Sequence, residues 1–333
     1  MTRFQSALRA TSALFCSLVV ASCGFVAVST APAKTAVTQR SEAALRADGL
    51  FWQTLHSADY DAIPAALVAV QAAYLETPGD ASSAAHIAFL HIWRIAERAR
   101  MTNPSPLITN DMVVAQKYFQ EAVSLDPSDA RYLGFLGASQ LSNGAIHHDQ
   151  KLTRQGHYTM RDAVKAWPEF NLFTAGYVMS GQPADSDRFK EALDMQWRTL
   201  DACAGTSVDR RNPAFDGFMD LQTLTGPKRA CWNSWIAPHN FEGFFLNMGD
   251  MLVKAGDWQT AQKVYANARL SPDYGQWQFR PTLETRIAQA QANVSAFNAP
   301  PRSELKAAAE SPARVDAVVM NQSRFACMAC HQR

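Results

Sequence analysis

Residues 245–272 read FLNMGDMLVKAGDWQTAQKVYANARLSP. Phe245, Met248, Gly249 and Leu252 recur at helical spacing and share one face of a helix. Gly256 ends that helix, and Trp258 opens a second in which Ala261, Tyr265 and Ala268 follow at steps of four and three. Pro272 has no amide hydrogen to donate and stops the second helix. The stretch is therefore a helical hairpin, with small residues where its two helices approach each other.

The same steps recur upstream. Ala66, Val70, Ala73 and Pro78 repeat them, as do Ala115, Phe119, Ala122 and Pro127, and Gly156, Met160, Ala163 and Pro168. From about Ser41 to Asn298 apolar residues keep helical spacing with no sustained strand-like alternation, so the expected fold is all-α. The recurring pattern resembles the second helix of a tetratricopeptide repeat, and residues 245–272 resemble a whole repeat. The resemblance spans roughly residues 46–298 and implies an α-solenoid of helical hairpins with a groove suited to binding another chain. The intervals from Pro78 to Pro127 and from Pro127 to Pro168 exceed the family's period of about 34 residues. Loops over Thr102–Asn110 and Asn143–Thr153 are expected to absorb the excess. An irregular helical bundle is the competing reading.

Lys and Arg total 31 against 30 Asp and Glu, a net charge of +1, which excludes a nucleic-acid binder held by bulk charge. At the amino end, Arg3 and Arg9 precede an uncharged stretch from Ala10 to Ala33 with the layout of a secretory leader. Residues 1–33 are thus expected to direct the protein to the periplasmic or extracellular side. Val20-Ala21-Ser22-Cys23 resembles a lipobox, which makes Cys23 a candidate for lipidation and membrane tethering. Cleavage near Ala31 or Ala33, or retention as an uncleaved anchor, are the alternatives.

The body is expected over 41–298, with a loop-rich insertion between Cys203 and Cys231 marked by Gly205, Pro213, Gly226 and Pro227. In an oxidising compartment these two cysteines are most simply a disulfide, the alternative being two buried thiols. Trp232, Trp235, Phe241, Phe244 and Phe245 follow, as core or as the wall of a cofactor pocket. Pro300 and Pro301 then separate the body from a tail over 299–333.

The tail carries the chemistry. Cys327-Met328-Ala329-Cys330-His331 is a C-x-x-C-H sequence, the attachment signature of c-type haem. Two thiols at this spacing add to the two vinyl groups of one porphyrin, with the adjacent imidazole as the proximal ligand. A zinc site requires a further ligand, and none is nearby in sequence. A redox-active C-x-x-C normally sits at a strand-to-helix junction, which a helical tail does not offer. At these residues the chain resembles c-type cytochromes, which implies one covalent haem c held by Cys327, Cys330 and His331. Class II cytochromes c, four-helix bundles, also place the motif near the carboxyl end, but their bundle accounts for the whole chain and this one is far longer. Only Gln332 and Arg333 follow the motif.

A distal ligand has to come from upstream or from another chain. His147 and His148, on an expected loop near Gly144, are the named candidates, with His86, His91, His157, His239 and Met320 considered beside them. In a continuous helix Met320 would lie about 16 Å from His331 along the axis, too far to share an iron. The expected function is an exported monohaem cytochrome relaying single electrons, its helical body docking a redox partner or assembling with itself. The alternative is a binding or assembly module whose haem senses a gas or redox state. A peroxidase is a weaker third reading, because no distal acid-base group is evident. No G-x-S-x-G, H-E-x-x-H or phosphate-binding glycine loop is present.

Overall fold

The computed structural model describes residues 34–299 and 318–333. Everything below lies in the compact unit Ala36–Arg333. The leader and Cys23 lie outside the described residues, as does the start of the tail at 300–317.

The unit is all-α, with no strand among the described residues. Five hairpins follow one another. They pair α1 (Glu42–His56) with α2 (Ile63–Glu76), α3 (Ala81–Ala96) with α4 (Asn110–Leu125), and α5 (Ala130–Ile146) with α6 (Gln150–Ala166). Next come α7 (Pro168–Met179) with α8 (Asp187–Ala204), and α9 (Asn240–Lys254) with α10 (Trp258–Ala266). Two shorter helices, α11 (Arg280–Ala288) and α12 (Ala290–Asn298), pack on α10, and α12 also on α9. Helix starts are set locally. Ser41, Asp80, Asp129, Asp149, Ser186 and Asp257 each accept a backbone N–H of the first turn they precede.

The four sequence copies fall on the second helices α2, α4, α6 and α10; their Ala66, Ala73, Ala115, Ala122, Ala163 and Ala261 are buried, as is Ala268 in the 3-10 turn that continues α10. Helix α8 is a fifth copy that the pattern search passed over. Its Ala192, Gln196 and Thr199 are buried at the same steps, but a polar Gln196 stands at the bulky position. The Gln196 amide donates to the Phe173 carbonyl at 3.2 Å, in space that Gly176 leaves open.

The expected loop over Asn143–Thr153 is largely absent. Helix α5 continues to Ile146 and α6 begins at Gln150. Gly144 does not turn the chain; a Cβ there would meet the Thr153 backbone nitrogen at 2.8 Å. Gly137 and Gly156 serve likewise, facing the backbone nitrogens of Met160 and Leu141 at 2.8 and 2.7 Å. Glycine here permits two helices to touch main chain to main chain. The excess over the repeat period lies in longer helices. The expected loop at Thr102–Asn110 is present, closing with a 3-10 turn at Pro106–Thr109.

The insertion between α8 and α9 is closed by the Cys203–Cys231 disulfide. Phe215, Phe241 and Phe245 pack beside it around a cavity of only about 20 Å³, and the buried Trp232 packs against Phe215 and Phe241. Those aromatics are core. Trp235 is the exception at 53% exposed, and its ring lies 4.8 Å from that of Trp52 on α1. The last hairpin is thereby brought back to the first. Lys254 on α9 ties the fourth hairpin to the fifth, donating to the Ser180 carbonyl at 3.1 Å with its ammonium over the Phe189 ring.

Two tests follow from this packing. Gly137→Ala places a methyl against the Met160 backbone, which cannot move independently, so about 1–3 kcal/mol is lost, read as a lower Tm. Burial lowers the Lys254 pKa from 10.5 to about 8, so between those values the unfolded chain holds more protons than the folded one. Wild type therefore gains stability relative to Lys254→Met as pH rises through that window, measurable by urea titration at pH 7.5 and 10.

Candidate functional site

Residues 318–333 lie along the first helices of the hairpins, and the body holds them chiefly by their main chain. Arg286 on α11 donates to the Val318 carbonyl at 2.6 Å. Buried Asp250 on α9 accepts the Met320 N–H and the Tyr265 hydroxyl at 2.6 Å, and is ion-paired with Arg286 Nε at 3.4 Å. On α7, the Tyr177 hydroxyl donates to the Ala326 carbonyl at 2.7 Å, and its own carbonyl accepts Asn321 Nδ2 at 3.2 Å. Trp277 Nε1 donates to the Ala329 carbonyl at 2.8 Å, and the His239 N–H to that of Cys330 at 3.0 Å. The Arg333 N–H closes the set on the His56 carbonyl of α1 at 2.9 Å. Both ends of the hairpin array thus meet on one segment.

Glu97, just past α3, is the centre of this arrangement and is fully buried. Its Oε1 accepts the N–H of Cys327 at 2.8 Å and of Met328 at 3.0 Å. Its Oε2 accepts Trp93 Nε1 at 3.0 Å and pairs with Arg100 Nε at 2.8 Å. Arg100 Nε also donates to the Arg324 carbonyl at 2.8 Å. Burial pushes the Glu97 pKa up, opposed by Arg100 and the three other donors. Four donors and no acceptor surround the two oxygens, so this geometry suits the ionised carboxylate. The carboxylate caps the short helix α13 (Met328–His331), which carries the end of the motif.

The motif residues themselves are differently placed. Cys330 is buried, with its Sγ against Gly243 on α9, where a Cβ would come within 2.2 Å. Cys327 is half-buried at the start of α13. Both are free thiols, unlike Cys203 and Cys231. Burial first, and then the charge of Glu97, pushes Cys327 well above 9.0; burial and Glu242 push Cys330 to about 12. A C-x-x-C at a helix start ordinarily uses the first-turn N–H groups to stabilise a thiolate. Here Glu97 takes those N–H groups, so the setting opposes thiol-disulfide exchange.

His331 is held in one tautomer. Its Nδ1 donates to the Ile236 carbonyl at 2.9 Å, leaving the lone pair on Nε2, which bonds to none of the described residues. Burial lowers its pKa, which favours the neutral ring. An imidazole oriented through Nδ1 with Nε2 available is the state that ligates a metal.

Of the other histidines considered, His86 lies 2.9 Å from Asp48 and stacks on Phe51, His91 lies 2.6 Å from Asp111, and His239 lies 3.2 Å from Glu242. These are partnered core residues. His147 and His148 are exposed at the α5–α6 turn and His157 is exposed on α6, and no described contact joins any of them to the motif. Met320 is fully buried in a 3-10 turn at Met320–Gln322, so the tail is not one continuous helix. The sequence reading passed over His56. Its ring lies against Trp52 and Trp235 and approaches the Ile236 carbonyl that holds His331, while its buried Nε2 completes no hydrogen bond. No local signal marks His56, because only the return of the last hairpin to α1 brings it there.

Among the described residues no three His, Cys, Asp or Glu side chains converge as a metal site. An open cleft of about 520 Å³ lies elsewhere, lined by residues including Asp129, Arg131, Trp167, Glu169 and Arg229, and includes no motif residue. Comparison with protein-family models, curated proteins and solved structures found no match. The donor set is therefore judged on its own chemistry. Two free thiols beside an imidazole whose Nε2 bonds to none of the described residues fit covalent attachment of a haem through Cys327 and Cys330, with His331 as its ligand.

Glu97→Ala removes the acceptor of three hydrogen bonds and the partner of Arg100 at once, and leaves the N–H groups of Cys327 and Met328 and the Trp93 indole unpaired. The expected loss is at least ~3 kcal/mol, with hydrogen-exchange protection falling first across 318–333.

Proposed function

We propose that the protein is an exported monohaem c-type cytochrome in which a helical hairpin array fixes and orients a carboxyl-terminal attachment motif. The observation that carries this reading is the His331 imidazole, held through Nδ1 by the Ile236 carbonyl with Nε2 bonded to none of the described residues, one residue from Cys330 and four from Cys327. When bound, the haem supplies reversible one-electron chemistry at iron.

The chain's own residues supply the rest. Cys327 and Cys330 are the covalent tethers, and His331 presents a neutral nitrogen in a fixed direction. Glu97, Tyr177, Trp277 and His239 hold the main chain of that segment rigidly, which limits reorganisation as the charge changes. Trp235 and Ile236, 53% and 41% exposed, place apolar surface beside the His331 contact, where a redox partner would dock.

Produced with cytochrome c maturation and export, the protein is expected to be red and to keep its colour through acid-acetone extraction. Its intact mass should exceed that of the polypeptide by one haem, and Cys327→Ser with Cys330→Ser should remove the increment. An unmodified wild-type mass under those conditions refutes the proposal. A reduced spectrum unmoved by carbon monoxide supports electron relay, whereas immediate carbon monoxide binding moves the function to gas sensing.

A further inference from the structure

The Glu97–Arg100 pair has a second consequence beyond holding the tail, and it rests on the cytochrome reading. Its two charges do not lie symmetrically about the motif. Glu97 is fully buried and its Oε1 is 2.8 Å from the backbone nitrogen of Cys327. Arg100 meets the opposite oxygen, Oε2, at 2.8 Å, and its side chain is 23% exposed. Any group bonded to Cys327 Sγ is carried by the residue whose own N–H the carboxylate holds. Both charges are felt at that sulfur with opposite sign: Glu97 opposes ionisation of the Cys327 thiol and Arg100 favours it.

A negative charge fixed in a low-dielectric interior interacts with a nearby changing charge far more strongly than it would in water. Iron cycling between its ferric and ferrous states changes charge by one unit. A buried anion stabilises the more positive ferric state, and a nearby cation the ferrous state. Trp93 beside Glu97 is a buried indole and Tyr177 a half-buried phenol, so little solvent reaches the carboxylate to screen it.

We propose that Glu97 and Arg100 are positioning residues that set the reduction potential of the group attached at Cys327, Glu97 holding it down and Arg100 holding it up. The buried member dominates, because Arg100 is partly screened by solvent. Glu97→Gln retains an acceptor for the Cys327 and Met328 N–H groups while discarding the charge. Arg100→Gln discards the opposite charge and leaves Glu97 its three other donors.

The test is the midpoint potential of the haem-loaded full chain, measured by spectroelectrochemical titration for wild type, Glu97→Gln and Arg100→Gln. The expected result is an upward shift for Glu97→Gln and a smaller downward shift for Arg100→Gln. A purely structural clasp would move both in the same direction or neither, and either result overturns the inference while leaving the cytochrome reading intact. If Glu97→Gln does not fold, Arg100→Gln decides alone: a lower potential supports the inference, and an unchanged or higher one overturns it. Absence of covalent haem from wild type would instead overturn the reading on which this inference stands.

Discussion

The architecture turns on one buried carboxylate and the donors it satisfies. Glu97 sits just past α3, yet its partners come from the far end of the chain and from its own vicinity: the N–H groups of Cys327 and Met328, the Trp93 indole and Arg100. A buried carboxylate is costly unless such donors are present, and a segment lacking regular structure is costly to order unless something accepts its main-chain hydrogens. Each side of the contact removes the penalty of the other. Residues 318–333 are held in place because the body offers matched polar groups, and the body tolerates buried polar groups because that segment satisfies them.

A repeat array usually grows in one dimension, each hairpin touching only its neighbours. This one departs from that pattern. The tail links α1, α7, α9 and α11, and Trp52 on α1 meets Trp235 ahead of α9. Long-range contacts of this kind make stability a property of the whole unit and not a sum over hairpins. They also explain why the tail needs no core of its own: Met320, Met328 and Ala329 are fully buried in a core supplied by helices built from the preceding chain.

The hairpin pattern was legible because close helix contact demands small residues at regular intervals, and Ala115, Ala122, Ala261 and Ala268 satisfy it plainly. The copy in α8 was not legible. A buried Gln196 is tolerated there only because Phe173 on the neighbouring helix offers a carbonyl and Gly176 leaves room. The same holds at Gly144, which falls in the loop expected over Asn143–Thr153. Glycine permits both a turn and a close helix approach, and the partner, Thr153, decides between them. The C-x-x-C-H motif was visible as a string, since its chemistry depends on spacing within five residues. Its surroundings were not, because Glu97, Tyr177, His239, Trp277 and Ile236 are scattered over the chain with no local pattern to join them.

Sequence alone determined what depends on neighbours along the chain: helical class, hairpin punctuation by Pro and Gly, and the local grouping of two thiols with an imidazole. The Cys203–Cys231 bond, a simplest reading from composition, became fact only when the insertion folded to bring the two together. Tertiary structure alone decided which nitrogen of His331 the body holds, which carboxylate caps the motif, and that His56 stands beside it while His147 and His148 do not. The physical reason is one of range. Helical periodicity repeats every few residues and is written locally, whereas a hydrogen bond between Glu97 and Cys327 depends on every helix that packs between them.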